Sequence, residues 1–186
     1  MTNHKISVSE ALLLIIGIFL FSISCDYDTQ VVDADLIYVL KISDCDSLRN
    51  DTIFQKHNEI RWTTTKPKSV VEAVMLLDSM TNDYTRHLFK ICDPNDFHLG
   101  FGMGIRNEWV YSGEDAFNEQ LFKRLKLPHN DLSSALVLKL YELYLTQDTI
   151  KIMELLGEGM NADSMKTARE EFKKIENELN KIKHSR

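Results

Sequence analysis

From residue 67 onward, apolar positions recur in steps of three and four, the spacing of helices that bury one face. Val70, Ala73, Val74, Leu77 and Met80 predict a helix after Pro67, and Ser69 with Glu72 forms the S-x-x-E pattern of a capping box. Tyr84, Leu88 and Ile91 predict a second helix over 82–92, ended by Asp93-Pro94. Phe117, Leu121 and Leu125 predict a third over 114–125, and Leu127-Pro128 breaks the chain again. The next helix, capped by Asn130 or Asp131 and running to Leu145, is apolar on most sides and is expected at the centre. The last spans 163–183, with Met165, Ala168, Phe172, Ile175, Leu179 and Ile182 forming a heptad-like seam. This seam is read first as folding back on its own domain, and second as a dimer coiled coil. The pattern predicts a mostly α fold, a compact bundle of about five to six helices. Residues 36–42, LIYVLKI, fit a strand or a helical turn, and 43–66 are polar and mixed, with Ile60 and Trp62 as anchors.

The N-terminus follows a different pattern. Residues 1–10 are polar, with Lys5 and Glu10, and 11–21 read ALLLIIGIFLF. An apolar run of this length is short for a membrane span, which needs about 20 residues, and fits a secretory signal. Phe21-Ser22-Ile23-Ser24-Cys25 resembles the lipobox of bacterial lipoproteins. That resemblance implies a signal peptide over 1–24, acylation of Cys25 (a palmitate-type anchor) and a tether over 25–35. It implies a protein held on the membrane in the cell envelope, outside the cytoplasm, with the leaflet open. An uncleaved anchor with an incidental cysteine is the alternative.

Charge and cysteine content refine this picture. The formal net charge is -6, and residues 163–186 carry seven Lys/Arg against five Asp/Glu, a net of +2, so the remainder carries -8. An acidic body of this kind lacks the basic surplus of nucleic-acid binders. Apart from Cys25, the cysteines are Cys45 and Cys92. They are able to pair in an oxidising envelope. Two separate buried thiols is the reading carried forward, with a disulfide as its alternative. No Cys-x-x-Cys or His-x-x-x-His spacing occurs, so no metal site is expected, and no cofactor is called for.

The stretch HLGFGMGIRNEWVY, residues 98–111, carries Gly100, Gly102 and Gly104. Neither G-x-G-x-x-G nor a Walker loop fits, because Ile105 stands where glycine would be needed and Ile-Arg-Asn follows Gly104. The expectation is a helix capped by Asn95 or Asp96. Gly100 and Gly104 would share a side-chain-free face for a close neighbour, and Leu99, Met103 and Ile105 would provide the apolar grip. Arg106, if buried, needs a carboxylate, and Asp131 and Asp96 are the candidates. Asn107 would end the helix in a left-handed conformation before Trp109 turns inward.

His98-x-Gly100-x-Gly102-x-x-Ile105-Arg106-Asn107-x-Trp109, with the Pro67-x-Ser69-x-x-Glu72-Ala73 helix before it and Pro128-His129-x-Asp131-x-Ser133 after it, resembles a bacterial domain of unknown function. Its members share an H-x-G-x-G-x-x-I-R-N-x-W core and a later H-P-D-D-x-S-like turn. The similarity covers about residues 66–145. The chain departs from it at Gly104, where a large aromatic is usual, and at the turn, which reads Pro-His-Asn-Asp. The resemblance implies helical architecture over 67–145 and no transferable activity. It leaves 36–66 as an N-terminal extension and 146–186 as C-terminal helices.

Two functions remain in view. One is an envelope lipoprotein acting as a binding module for a protein partner, an immunity-like role among the options. The other is a hydrolase-like or other small enzyme in which His98, Arg106, Asn107, His129 and Asp131 converge on a cleft, with histidine as acid-base and arginine as anion clamp. No nucleophile elbow, H-E-x-x-H or Cys-His signature supports the second. The first is preferred.

Overall fold

A computed structural model of the protein describes residues 33–57, 60, 62–112, 115–147, 149–151 and 162–186. The expected signal peptide over 1–24, the expected lipidation site Cys25 and most of the expected tether lie outside the described residues. The fold is mostly α: among the described residues there are no strands, and six of nine helices have seven residues or more. No helix among the described residues is long and apolar enough to cross a membrane.

Residues 36–42 settle as helix: α1 is Ala34–Val39, beginning inside the stretch expected to be tether, and Leu40-Lys41 turn out of it. Two more short helices follow, α2 (Cys45–Asn50) and α3 (Thr52–His57). Asp44 caps α2, its carboxylate accepting from Ser47 N at 2.7 Å. Helices of six residues gain little from their own hydrogen bonds, so tertiary ties must hold them. Three such ties run to residues 82–96. His87 Nε2 lies 2.7 Å from Ile42 O, Asn82 Nδ2 donates to His57 O at 2.7 Å, and Cys45 is joined to Cys92. The disulfide replaces the two separate thiols expected from the sequence. Helix packing brings the two Cα atoms to 5.1 Å, within bridging range, which sequence spacing could not show.

The longer helices form the core. α4 (Val70–Met80) starts at the expected capping box. Ser69 Oγ accepts from Glu72 N at 3.1 Å, but the Glu72 carboxylate reaches back to Lys68 N at 2.6 Å, one residue beyond the cap. α5 (Asp83–Ile91) is capped by Asn82. α6 is one continuous helical path in four pieces: a 3-10 turn over Pro94–Phe97, a π turn over His98–Gly102, an α turn over Met103–Ile105 and a second π turn over Arg106–Val110. Its cap is Asp93, accepting from Asn95 N, rather than Asn95 or Asp96. α7 joins Asp115–Asn118 to a π segment over Glu119–Arg124. Lys126 then takes a positive φ of 58° and Leu127 N donates to Leu121 O, closing the helix end before Pro128.

α8 (Asn130–Thr146) is the central helix, as its apolar pattern implied: Val137, Leu138, Leu140 and Tyr141 are buried on successive sides. His129 occupies its cap position without a side-chain bond, so neither Asn130 nor Asp131 caps it. α9 (Ala162–His184) lays Ala168, Phe172, Ile175 and Leu179 into the core. Its seam is therefore filled by its own domain. A buried polar link seats it: Gln120 Nε2 donates to Glu171 Oε1 at 2.8 Å, while Gln120 Oε1 accepts from Val70 N at 2.6 Å, a free donor at the start of α4.

Candidate functional site

Arg106 is the polar residue of the glycine stretch that the fold treats as interior. It is buried at the start of the second π turn of α6. Its Nη1 donates to Ser134 Oγ of α8 at 2.8 Å, and Nε lies 3.4 Å from Asp131 Oδ1. Ser134 in turn donates to Asp131 O at 3.0 Å, so its hydroxyl is used in both directions. Asp131 leaves its side chain 62% exposed, so one end of the pair meets water. Asp96, the other candidate partner, pairs with Arg49 at 3.3 Å.

Two of the glycines explain the close approach. A Cβ on Gly102 would stand 3.3 Å from Arg106 Nη1 and 3.4 Å from Ser134 Oγ, so glycine lets the guanidinium lie against its own helix. A Cβ on Gly104 would overlap the indole of Trp62. Gly100 has nothing within 4 Å. The expected shared face of Gly100 and Gly104 is not formed, and the close neighbour at Gly104 is a single side chain. Leu99 and Met103 are likewise 77% and 50% exposed instead of gripping a neighbour. The π turns account for both differences. Bonding from i to i+5 adds a residue to each turn, so a register counted at 3.6 residues drifts and carries Leu99 and Met103 outward. Ile105 keeps its core position.

The remaining motif residues do not gather around Arg106. Asn107 is exposed and helical, and Lys126 is the positive-φ non-glycine residue among those described, so Asn107 does not end the helix in a left-handed turn. Instead α6 continues to Val110, and Ser112 Oγ caps it by donating to the Asn107 and Glu108 carbonyls at 3.0 and 2.8 Å. His98 is half-buried, eight residues before Arg106 on the same helix and about 12 Å away by helical rise. His129 is exposed. Trp109 is fully buried, edge-on to Trp62 at 5.7 Å, and its Nε1 has no hydrogen-bond partner. Gly102, Arg106, Asp131 and Ser134 thus form one cluster, and its polar atoms largely satisfy one another.

A second polar cluster had no clear signature in the sequence. Asp78, buried on the core face of α4, faces Arg86 Nε at 3.2 Å, the Arg186 guanidinium and Tyr141 Oη at 3.4 Å. Tyr141 Oη also shares a hydrogen bond with Thr81 Oγ1. Burial is the main cause pushing the Tyr141 phenol up to about 12. The available signal was Asp78 itself, an acidic side chain following Leu77 on a face otherwise read as apolar. Among the described residues, no group of three or more His, Cys, Asp or Glu is placed to hold a metal.

Residues 66–145 match the model of DUF6794, a domain of unknown function. No curated protein and no solved structure matches the chain.

Proposed function

We propose that the protein is an envelope lipoprotein, anchored through Cys25, whose helical domain acts as a binding module for a protein partner outside the cytoplasm. The observation that carries this reading is the Cys45–Cys92 disulfide. Disulfides persist in secreted and envelope compartments and are rare in a reducing cytoplasm. It agrees with the lipobox-like ending Ser24-Cys25 of the apolar leader, an independent feature of the sequence.

The binding reading is supported over the hydrolytic one by how Arg106 is used. An anion clamp needs free donors facing a cleft, and this guanidinium is buried against Ser134 and Asp131. Asn107 and His98 do not join it. A binding role is also favoured by Leu99 and Met103 on α6 and Tyr111 just past its end, exposed at 77%, 50% and 63%. Apolar side chains exposed along one helix suit a partner surface.

The test is expression of the full chain in a bacterial host beside Cys25→Ser. Labelled palmitate should enter the wild type and not the variant, and the variant should leave the membrane fraction. Cys45 and Cys92 should resist alkylation until the protein is reduced. Absence of label from the wild type removes the anchor. Free thiols in protein freshly taken from cells remove the envelope placement.

A further inference from the structure

We propose that the outward face of α1, carrying Ile37, Tyr38 and Leu40, lies against the headgroup region of a zwitterionic lipid bilayer. All three side chains are exposed, and they are neighbours on one short helix. Leu40 stays on the helical path, its N–H donating to Leu36 O at 2.9 Å. Ile37, Leu40 and Lys41 stand at i, i+3 and i+4, the spacing of one helix face, with Tyr38 beside them. Val39 lies on the opposite side and is fully buried. The inference rests on the anchoring of Cys25 proposed above.

The face is supported from behind. Leu36 and Ile42 pack against the core beside Val39, and the Ile42 carbonyl lies 2.7 Å from His87 Nε2. Tyr38 Oη donates to Asp51 Oδ2 at 3.1 Å, which orients its ring. Asp35 turns aside toward His57, 3.5 Å from Nε2. What remains outward is two aliphatic side chains, a tyrosine and the exposed Lys41. This set suits the boundary between headgroups and acyl chains. There a tyrosine keeps its hydroxyl wet, and a lysine lays its stem on apolar surface while its ammonium reaches water.

The place of this face in the chain selects a bilayer as its occupant. Cys25 stands nine residues before Ala34, and nine residues span at most about 30 Å when extended. An acylated Cys25 therefore keeps the start of α1 within that reach of the lipid surface. Three side chains do not hold a protein on a membrane by themselves. A short tether changes this, because it raises the effective concentration of the second contact to about the millimolar range, where a weak contact is populated. Charge selects the lipid. Residues 33–46 carry Asp33, Asp35, Asp44 and Asp46 against Lys41. An anionic surface repels such a segment, and a zwitterionic one does not.

The test uses the full chain, purified from bacterial membranes and reconstituted into phosphatidylcholine vesicles whose acyl chains carry bromine as a tryptophan quencher. Flotation with the vesicles reports the anchor, and quenching reports the face. The wild type supplies the background from Trp62 and Trp109. The fluorescence added by Tyr38→Trp should fall about twofold in brominated against plain vesicles, as for an indole at the membrane interface. Adding Ile37→Ser and Leu40→Ser to that variant should remove most of the quenching. The triple variant should still float, and should melt close to its parent, since both replaced side chains are exposed. Phosphatidylglycerol should not be needed. A floating chain in which Tyr38→Trp is not quenched overturns the proposal and leaves the anchor standing. So does quenching that survives the serine changes, or that appears only with phosphatidylglycerol. A wild type that does not float overturns the anchor, and the proposal with it.

Discussion

Arg106 and Ser134 join α6 to α8 through a 2.8 Å bond from guanidinium to hydroxyl, with Asp131 3.4 Å from the other edge. The two partners of the ion pair differ in burial, and so should their mutants. Arg106→Ala removes a long buried side chain and leaves a cavity, a change that typically costs about 2–4 kcal/mol. It strands no charge, because Asp131 is open to water. Asp131→Asn keeps the shape and an accepting oxygen but leaves the buried Arg106 charge without its carboxylate, a loss of about 1–2 kcal/mol. Urea unfolding of the two variants should separate them. Equal losses would mean that the guanidinium is not packed as described.

Gly100 and Gly104 should respond in opposite directions to the same added methyl group. At Gly100 the space is open, so Gly100→Ala should be neutral or stabilise by up to about 1 kcal/mol through helix propensity. At Gly104 the methyl meets the Trp62 indole, and overpacking of this kind costs about 1–3 kcal/mol. Trp62 should then move into water, and tryptophan fluorescence should shift to the red in Gly104→Ala alone. An unshifted spectrum with unchanged stability would show that Trp62 does not rest in the Gly104 notch.

The Cys45–Cys92 bridge closes a separation of 47 residues. On the chain-entropy account such a loop stabilises by about 4 kcal/mol. The double variant Cys45→Ser/Cys92→Ser should lose stability of that order, measured by chemical unfolding, and dithiothreitol should have the same effect on the wild type and none on the variant. The α1–α3 segment should also gain hydrogen exchange first, since it depends on this tie and on the Ile42 and His57 carbonyl contacts.

The helices from Val70 onward were legible because each buries a face at regular spacing, and α9 even announced its seam through Ala168, Phe172, Ile175 and Leu179. Helix α6 was legible as a helix but not in its facing. Periodic reasoning assumes a constant turn, and its two π segments moved Leu99 and Met103 to solvent. The Arg106–Asp131 pair could be named because a buried guanidinium always needs partners, and few carboxylates were candidates. Ser134 could not be, since serines at helix starts are common and only packing selects one. The Asp78 cluster draws on residues up to 108 positions apart, and no local pattern connects Asp78 with Arg186.

Tyr141 should give the protein an alkaline limit. Burial, the largest cause, raises its phenol from 10.0 to about 12, with the nearby Asp78 carboxylate acting in the same direction. Below about pH 10 the phenol is protonated in both the folded and the unfolded chain, and its contribution is fully present. Between about pH 10 and 12 the unfolded chain releases this proton while the folded one keeps it, so stability falls as pH rises. The loss should level off beyond about pH 12, at roughly 2 kcal/mol. Other tyrosines and lysines also titrate in this window, so the informative quantity is the difference between wild type and Tyr141→Phe. The variant should begin less stable, having lost its bonds to Thr81 and Asp78, and the gap should narrow across the window as the wild type weakens. Urea midpoints of both proteins over this range, with phenolate absorbance recorded in parallel, measure the gap directly. A gap that stays constant would mean that the Tyr141 phenol titrates like one in water and is not held in the Asp78 cluster.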